Sequence, residues 1–188
     1  EYYPEDLQRP FPIEKKAFNA GVLEILTFGE VLDLVDARTE LLVEIKTDDK
    51  IPSARFLMAI LDEIHERNAY EWCIIQSFNN HVLKLINAIS RKPIRLHQLV
   101  VMRFSRSGWS FSESGSKILL NDQPYVSGIN VDYRFLTPRL LKSINQKKKS
   151  CYVWTVNDKP TMARFLKMGV NGIITNYPKA LKEYLATF

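Results

Sequence analysis

Short apolar runs alternate with helical segments along almost the whole chain, and this alternation constrains the fold more than any other feature. After each run, apolar residues recur at i, i+3, i+4 and i+7, which is the spacing of one helix face. Six such strand-then-helix units, at spacings of roughly 20 to 35 residues, predict a parallel sheet with right-handed crossovers. The strands are expected at Leu41–Lys46, Trp72–Phe78, Ile94–Met102, Ser127–Val131, Cys151–Val156 and Gly172–Thr175.

Residues typical of helix ends stand between the predicted strands. Thr27 and Glu30 have the spacing of a capping box before a short helix. Pro52 stands near the start of an amphipathic helix of about 15 residues. Gly169 occupies a position where a left-handed residue commonly ends a helix. Further helix starts are expected at Asn79, Thr137–Pro138, Asp158 and Pro178.

The number of units predicts an incomplete barrel. A complete (β/α)8 barrel has eight units and typically about 250 residues, whereas this chain has 188 residues and six units. We therefore predict an α/β fold of the (β/α)8 TIM-barrel type with about six of eight units present and the first two missing. The barrel is expected over residues 22–188, after an irregular lead-in over residues 1–21. The serine-rich stretch Arg103–Gly115 is expected to form a long loop.

The composition and charge of the chain limit the kinds of partner that it is expected to bind. With 46% hydrophobic residues the chain can bury one core. The formal charge of +5 is scattered apart from Lys147–Lys149, which we interpret as a solvated helix end, so no nucleic-acid binding is expected. No run approaches about 18 apolar residues, so no transmembrane segment is expected. Cys73 and Cys151 lie in apolar runs and are expected to be buried thiols.

A charge pair ends the first predicted strand. In Leu41–Lys46, side chains alternate between the two faces, so Glu44 and Lys46 are expected on one side, about 7 Å apart along the strand. Active sites of parallel α/β barrels lie at the carboxyl ends of the strands, so the pair is a candidate site. A surface ion pair where the strand leaves the sheet is the alternative interpretation.

Several stretches resemble the glycerophosphodiester phosphodiesterase family. They are Leu42–Lys46, Gln76–Asn79, Val153–Asp158 (VWTVND) and Gly169–Pro178 (GVNGIITNYP). The resemblance covers the later strands of that family's barrel. It implies a (β/α)8 barrel that hydrolyses glycerophosphodiesters, a small-molecule substrate, to glycerol phosphate and an alcohol, as part of lipid and glycerol metabolism.

The resemblance also implies roles for particular residues. Glu44 would be a ligand of one divalent cation, Mg²⁺ or Ca²⁺, since both prefer oxygen ligands. Lys46 would contact the phosphate as a catalytic residue. Gln76, Phe78 and Trp154 would bind the substrate, with core packing as the alternative for all three. Arg103, Arg106 and Trp109 could cover the site and contact a head group, or could only decorate the surface.

The sequence also departs from the family's pattern. The early His-Arg-Gly, Glu-x-Asp and His-Asp motifs are absent, and His65, His81 and His97 are expected to be structural or solvated. One hypothesis is an enzyme whose first two strands lie outside this sequence, so that the 188-residue chain alone is inactive. The alternative is an inactive partial barrel that binds phosphate-bearing ligands or proteins. In both cases a missing N-terminal segment or a second chain is expected to pair with the open sheet edges.

Overall fold

A sheet containing six parallel strands dominates the computed structural model, which describes residues 25–47, 52–105, 108–113, 116–117 and 123–187. The parallel strands have the order β1-β2-β3-β6-β7-β8, and β4 and β5 extend β3 in antiparallel fashion. The strands are β1 (Leu41–Glu44), β2 (Cys73–Ser77), β3 (Arg95–Ser105), β4 (Gly108–Glu113), β5 (Ser116–Lys117), β6 (Gly128–Asp132), β7 (Ser150–Trp154) and β8 (Gly172–Ile173).

Helices connect the parallel strands, as the alternating pattern predicts. The helices are α1 (Phe28–Val35), α2 (Ala54–Glu66), α3 (Asn80–Ile89), α4 (Pro138–Gln146), α5 (Lys159–Met168) and α6 (Pro178–Leu185), with a short 3₁₀ turn at Ala69–Glu71. Within the described residues, this is six strands of an α/β fold of the TIM-barrel type, and the predicted fold class is confirmed.

Side-chain caps fix the predicted helix starts except that of α6 at Pro178, where Tyr177 makes no side-chain cap bond. The Thr27 hydroxyl accepts a hydrogen bond from the Glu30 backbone at 3.3 Å, while the Glu30 carboxylate accepts one from Thr27 N at 2.7 Å. The start near Pro52 is set by Ser53, whose hydroxyl accepts from Phe56 N at 3.2 Å, so that α2 has 13 residues. Asn79, Thr137 and Asp158 cap their helices, and Gly169 ends α5 at φ 80°.

The main hydrophobic core lies between one face of the sheet and the helices. Side chains on alternate strand positions point to this face, because strand residues alternate between faces. The sheet contributes Cys73, Ile75, Leu96, Val100, Ile129, Val131, Cys151 and Val153, and the helices contribute Leu57, Leu61, Ile64, Val82, Ile86, Ile144, Met162 and Phe165. The other face of the sheet is therefore the barrel interior, and its residues determine the site.

The predicted long loop at Arg103–Gly115 is wrong for the residues that the structure describes. β3 continues to Ser105, and β4 returns antiparallel to it, with Val101 opposite Ser112. Aromatic residues and serines alternate in Trp109–Ser112, which is the period of a strand. Arg106 and the side chains of Arg103 and Trp109 lie outside the described part, as do residues 1–24, which contain the predicted lead-in.

The two outermost parallel strands are shorter than predicted. β1 ends at Glu44 rather than Lys46, and β8 ends at Ile173 rather than Thr175. In the described ranges each of them pairs on one side alone, β1 with β2 and β8 with β7. Beyond β8, Asn157 Oδ1 accepts from Thr175 Oγ1 at 3.3 Å and from Asn176 N at 3.0 Å. Backbone hydrogen bonds continue through Ile174, which bonds to Val153 and Val156, and the Asn157 side chain takes their place at the next two residues.

The prediction of buried thiols agrees with the structure. Cys73 and Cys151 are buried free thiols, and burial raises the pKa of each to about 12. Among the described helices, none combines the length and the apolar character that crossing a membrane requires.

Candidate active site at the carboxyl end of the sheet

The carboxyl ends of β1, β2 and β7 carry Glu44, Lys46, Gln76, Phe78 and Trp154, and we call this surface the mouth. Ser77, which points toward the helices, donates from its hydroxyl to the Ile45 carbonyl at 2.8 Å. This bond fixes the backbone between Glu44 and Lys46 against the end of β2.

The Glu44–Lys46 pair lies at the outer end of the mouth. The Lys46 Nζ to Glu44 Oε1 distance is 3.2 Å, so the two side chains lie on one side of the chain, as strand alternation predicts. The Glu44 side chain is 27% exposed and the Lys46 side chain 82% exposed. The carboxylate is therefore partly sheltered at the mouth, whereas the ammonium group is nearly free in solvent.

Gln76 begins a network of polar side chains inside the barrel, of which Gln76, His97 and Asn130 are buried and Ser150 is half-buried. Asn130 Nδ2 donates to Gln76 Oε1 at 2.6 Å, across the intervening strand β3. Asn130 Oδ1 lies 3.0 Å from His97 Nδ1, and His97 Nε2 lies 3.1 Å from Ser150 Oγ. We call Gln76, Asn130, His97 and Ser150 the interior network. It joins four neighbouring strands below the mouth.

Burial sets the protonation state of the interior network. Burial lowers the pKa of His97 to about 4, so its ring is neutral near neutral pH. Because Asn130 Nδ2 already donates to Gln76, its Oδ1 faces His97, which requires the proton on Nδ1. Gly128 leaves room for this arrangement, since a Cβ there would lie 2.4 Å from both His97 Nε2 and Ser150 Oγ.

Phe78 and Trp154 form an aromatic contact across the mouth. Their ring centroids are 5.6 Å apart at an interplanar angle of 88°, an edge-to-face arrangement. Two strands separate β2 from β7, so this contact requires the sheet to curl. Trp154 Nε1 donates to the Asn130 carbonyl at 2.9 Å, and Gln98 Nε2 donates to the Phe78 carbonyl at 3.0 Å. The Trp154 ring and the Phe78 backbone are therefore held in place, and the Phe78 ring packs against Trp154.

A second charge pair, which the sequence analysis missed, lies at the end of β6. The Asp132 side chain is 2% exposed, and its Oδ2 accepts from Arg134 Nη2 at 2.5 Å. Arg134 Nε and the Arg134 backbone N each donate to Asp132 Oδ1 at 3.0 Å. These bonds to the carboxylate raise the pKa of Arg134. Arg134 is thus a cation held in place by Asp132, and its side chain is 64% exposed. Asp132 is the register partner of Trp154 in β7.

A model of the glycerophosphoryl diester phosphodiesterase family matches residues 5–180. The chain belongs to this family. A glycerophosphodiester phosphodiesterase of Bacillus subtilis (strain 168) is 26% identical over 178 residues, covering 89% of this chain and 56% of the relative. The chain thus spans about half the length of that relative.

Solved structures share the fold. A glycerophosphodiester phosphodiesterase from Thermotoga maritima has a TM-score of 0.61 at 19% identity, over 100% of this chain and 78% of that one. An Oleispira antarctica phosphodiesterase in complex with the product sn-glycerol-3-phosphate has a TM-score of 0.62 at 14% identity, over 85% and 61%. At these identities the likeness shows the fold alone.

The described part of this phosphodiesterase-family chain does not by itself fit a divalent cation. Among the described residues there is no group of three or more His, Cys, Asp and Glu side chains that could hold a metal ion. Glu44 is a carboxylate at the mouth, and the Asp132 oxygens are bonded to Arg134. Ca²⁺ takes six to eight oxygen ligands and Mg²⁺ requires nearly octahedral coordination. Glu44 can thus supply one ligand of a larger set.

The histidines of this family member do not form an acid–base pair at the mouth. His65 lies near the end of α2, with its Nδ1 3.4 Å from the Tyr70 hydroxyl, and His81 is exposed at the start of α3. His97 is buried below the mouth in the interior network. These positions agree with the expectation that all three are structural or solvated.

The structure brings some predicted site residues together and adds others. Glu44 contacts Lys46, Phe78 contacts Trp154, and Gln76 is the register partner of Glu44. The residues missed by sequence reasoning are Asn130, Ser150, Asp132 and Arg134, whereas His97 was expected to be structural or solvated. Asp132 at the carboxyl end of β6, two residues before Arg134, repeats the spacing of Glu44 and Lys46 at the end of β1.

Proposed function

We propose that the complete protein hydrolyses glycerophosphodiesters to glycerol phosphate and an alcohol, in lipid and glycerol metabolism, with the mouth as its substrate site. One observation carries the proposal. In a chain of this family, a partly sheltered acid, a lysine, a buried amide and an aromatic pair stand together where a parallel barrel has its active site.

The mouth residues suit the parts of such a substrate. Lys46 would place positive charge near the phosphate oxygens, which resist attack because they are anionic. Gln76 would donate a hydrogen bond to one of them. Phe78 and Trp154 would form an apolar wall for the glycerol or the head group, since both rings are fixed by their contacts. Lys46 is free to move to the phosphate because its side chain is 82% exposed.

We further propose that turnover requires one divalent cation, Mg²⁺ or Ca²⁺, for which Glu44 supplies one ligand. The other ligands would come from residues outside the described part of the chain. When bound, the cation would neutralise phosphate charge. The carboxylate of Glu44 suits either metal, because both prefer oxygen ligands.

Completion of the site requires further polypeptide in this proposal. The described histidines stand away from the mouth, so a general acid and base would have to come from elsewhere. β1 and β8 each pair on one side in the described ranges, and buried parallel sheets rarely leave such edges bare. We propose that an N-terminal segment or a second copy of the chain pairs with these edges, and that the 188-residue chain alone is inactive.

The test is hydrolysis by the full-length protein with glycerophosphodiesters as substrates. Turnover is expected to fall on chelation and to return with Mg²⁺ or Ca²⁺. Glu44→Gln should lower kcat/KM by at least about 100-fold, the scale of losing an electrostatic contact in a transition state. Glu183→Gln is the matched control, because Glu183 also faces a lysine, Lys179 at 4.0 Å, but lies on α6.

Two outcomes would contradict parts of the proposal. Unchanged turnover in Glu44→Gln would remove Glu44 from the site. A full-length protein that binds glycerol phosphate without any hydrolysis would favour the second candidate, an inactive barrel that binds phosphate-bearing ligands. The observation that favours this candidate is the lack of a three-residue metal cluster among the described residues.

A further inference from the structure

The interior network gives the Gln76 amide one fixed orientation. Gln76 is 6% exposed, and its Oε1 accepts from Asn130 Nδ2 at 2.6 Å. Within the part of the chain that the structure describes, Gln76 Nε2 donates no hydrogen bond. The amide is planar, so fixing Oε1 on Asn130 turns Nε2 away from Asn130. The amide thus offers a donor, and not an acceptor, to any ligand at the mouth.

The orientation of Asn130 depends in turn on His97. An asparagine amide can rotate to exchange its oxygen and nitrogen, and its neighbours decide between the two orientations. His97 is neutral, with Nδ1 as a donor when its Nε2 accepts from Ser150, at 3.1 Å. A donor on Nδ1 requires the Asn130 oxygen, 3.0 Å away, and leaves the Asn130 nitrogen for Gln76. His97 and Asn130 thus fix each other's orientation, and their hydrogen bonds end with the Asn130 nitrogen donating to Gln76.

We propose that Asn130 and His97 are positioning residues that hold Gln76 Nε2 as a hydrogen-bond donor to an anionic phosphate oxygen of a ligand at the mouth. This inference rests on the proposed function, because it takes the mouth as the phosphate site. Both residues act through Gln76 and need not touch the ligand. A hydrogen bond to a charged oxygen is stronger than one to a neutral group, so a fixed donor would favour the anion.

Asn130→Asp reverses the hydrogen bond between Asn130 and Gln76 and leaves the shape of the side chain almost unchanged. The aspartate still accepts from His97, but it cannot donate to Gln76. The Gln76 amide would then rotate to donate to the new carboxylate and would present Oε1 to the mouth. An acceptor facing a phosphate oxygen repels it, so binding of the anion should weaken while an uncharged ligand is hardly affected.

The experiment uses the full-length protein and two readouts. The Kd of sn-glycerol 3-phosphate, measured by calorimetry, should rise about tenfold or more in Asn130→Asp, and the KM of a glycerophosphodiester should rise with it. The kcat should change much less, because the donor binds the anion in the ground state and in the transition state alike. Asn145→Asp on the exposed face of α4 controls for the added charge.

Gln76→Glu is the second variant and keeps the inference testable if Asn130→Asp fails to fold. It retains an acceptor for Asn130 and removes the donor, so it should weaken glycerol phosphate binding by a similar factor. Wild-type Kd and KM in a folded variant, even with a lowered Tm, would overturn the positioning role and the donor role of Gln76, and would leave the proposed hydrolysis at the mouth standing. A wild-type protein that neither binds glycerol phosphate nor hydrolyses diesters would overturn both.

Discussion

The centre and the edge of the mouth differ in how firmly their side chains are held. At the centre, Gln76 and Asn130 are buried and joined to each other by a 2.6 Å hydrogen bond. At the edge, Glu44 ends β1 and Lys46 follows it. Among the described residues their side chains bond only to each other, at 3.2 Å, and β1 pairs on one side. The centre is thus ordered by this chain's own residues. The edge requires further contacts to gain a defined geometry.

The largest expected effect concerns His97 at the centre. Its folded pKa of about 4 lies below the ordinary 6.5, chiefly because burial penalises the charged ring. The unfolded chain therefore binds the proton first as the pH falls. The neutral His97 ring makes its full contribution to the free energy of unfolding above about pH 6.5. This contribution falls by about 3 kcal/mol as the pH falls to about 4. The charge of Arg95 also lowers the pKa of His97, whereas the charge of Glu40 raises it.

Urea unfolding of the full-length protein at pH 7 and pH 4.5 measures this contribution. His97→Gln should lose most of the difference in free energy of unfolding that the wild type shows between the two pH values. His81→Gln, at an exposed position, should retain it. Equal pH dependence in wild type and His97→Gln would show that the ring is not kept neutral by the fold.

The next prediction compares two valines on the helix-facing side of the sheet. Val153 in β7 is 0% exposed, and Val43 in β1 is half-buried. Val153→Ala should lower the free energy of unfolding by about 2–3 kcal/mol, through lost burial and the cavity left behind. If further polypeptide covers β1 in the full-length protein, Val43→Ala should come within about 1 kcal/mol of that value, because its side chain is then equally buried.

Denaturant titration of both variants would decide whether the edge is covered. A cost of Val43→Ala well below about 1 kcal/mol in the full-length protein would mean that β1 stays half-exposed. The proposed pairing of its outer edge would then be wrong. Since both substitutions remove the same atoms, the comparison does not depend on residue size.

Sequence reasoning was most successful where the signal is local. The caps at Thr27, Asn79 and Asp158 and the left-handed Gly169 depend on neighbouring residues, and the structure has each of them. The six parallel strands followed from periodicity. The β3–β4 pairing was missed because a serine-rich stretch was interpreted by composition rather than by its alternating period.

The interior network could not be derived from the sequence. Gln76, His97, Asn130 and Ser150 lie on different strands, and their contacts depend on register and on the curl of the sheet. Asp132 with Arg134 was within reach, because the pattern resembles that of Glu44 and Lys46 two residues apart. The roles of Glu44, Lys46, Gln76, Phe78 and Trp154 stay predictions that depend on the family resemblance.

The smallest expected effects separate the two cations near the mouth. Arg134→Gln removes the side-chain hydrogen bonds to Asp132, which is 2% exposed, so the free energy of unfolding should fall by about 1–3 kcal/mol. Lys46→Gln removes an ion pair whose lysine is 82% exposed, and should cost about 0–1 kcal/mol. Yet Lys46→Gln should raise the KM for a glycerophosphodiester, because Lys46 is the proposed phosphate contact.

Urea unfolding and steady-state kinetics of both full-length variants test the contrast between Arg134 and Lys46. A large stability loss in Lys46→Gln with an unchanged KM would mean that Lys46 is a structural residue and that the edge of the mouth is as firmly built as its centre.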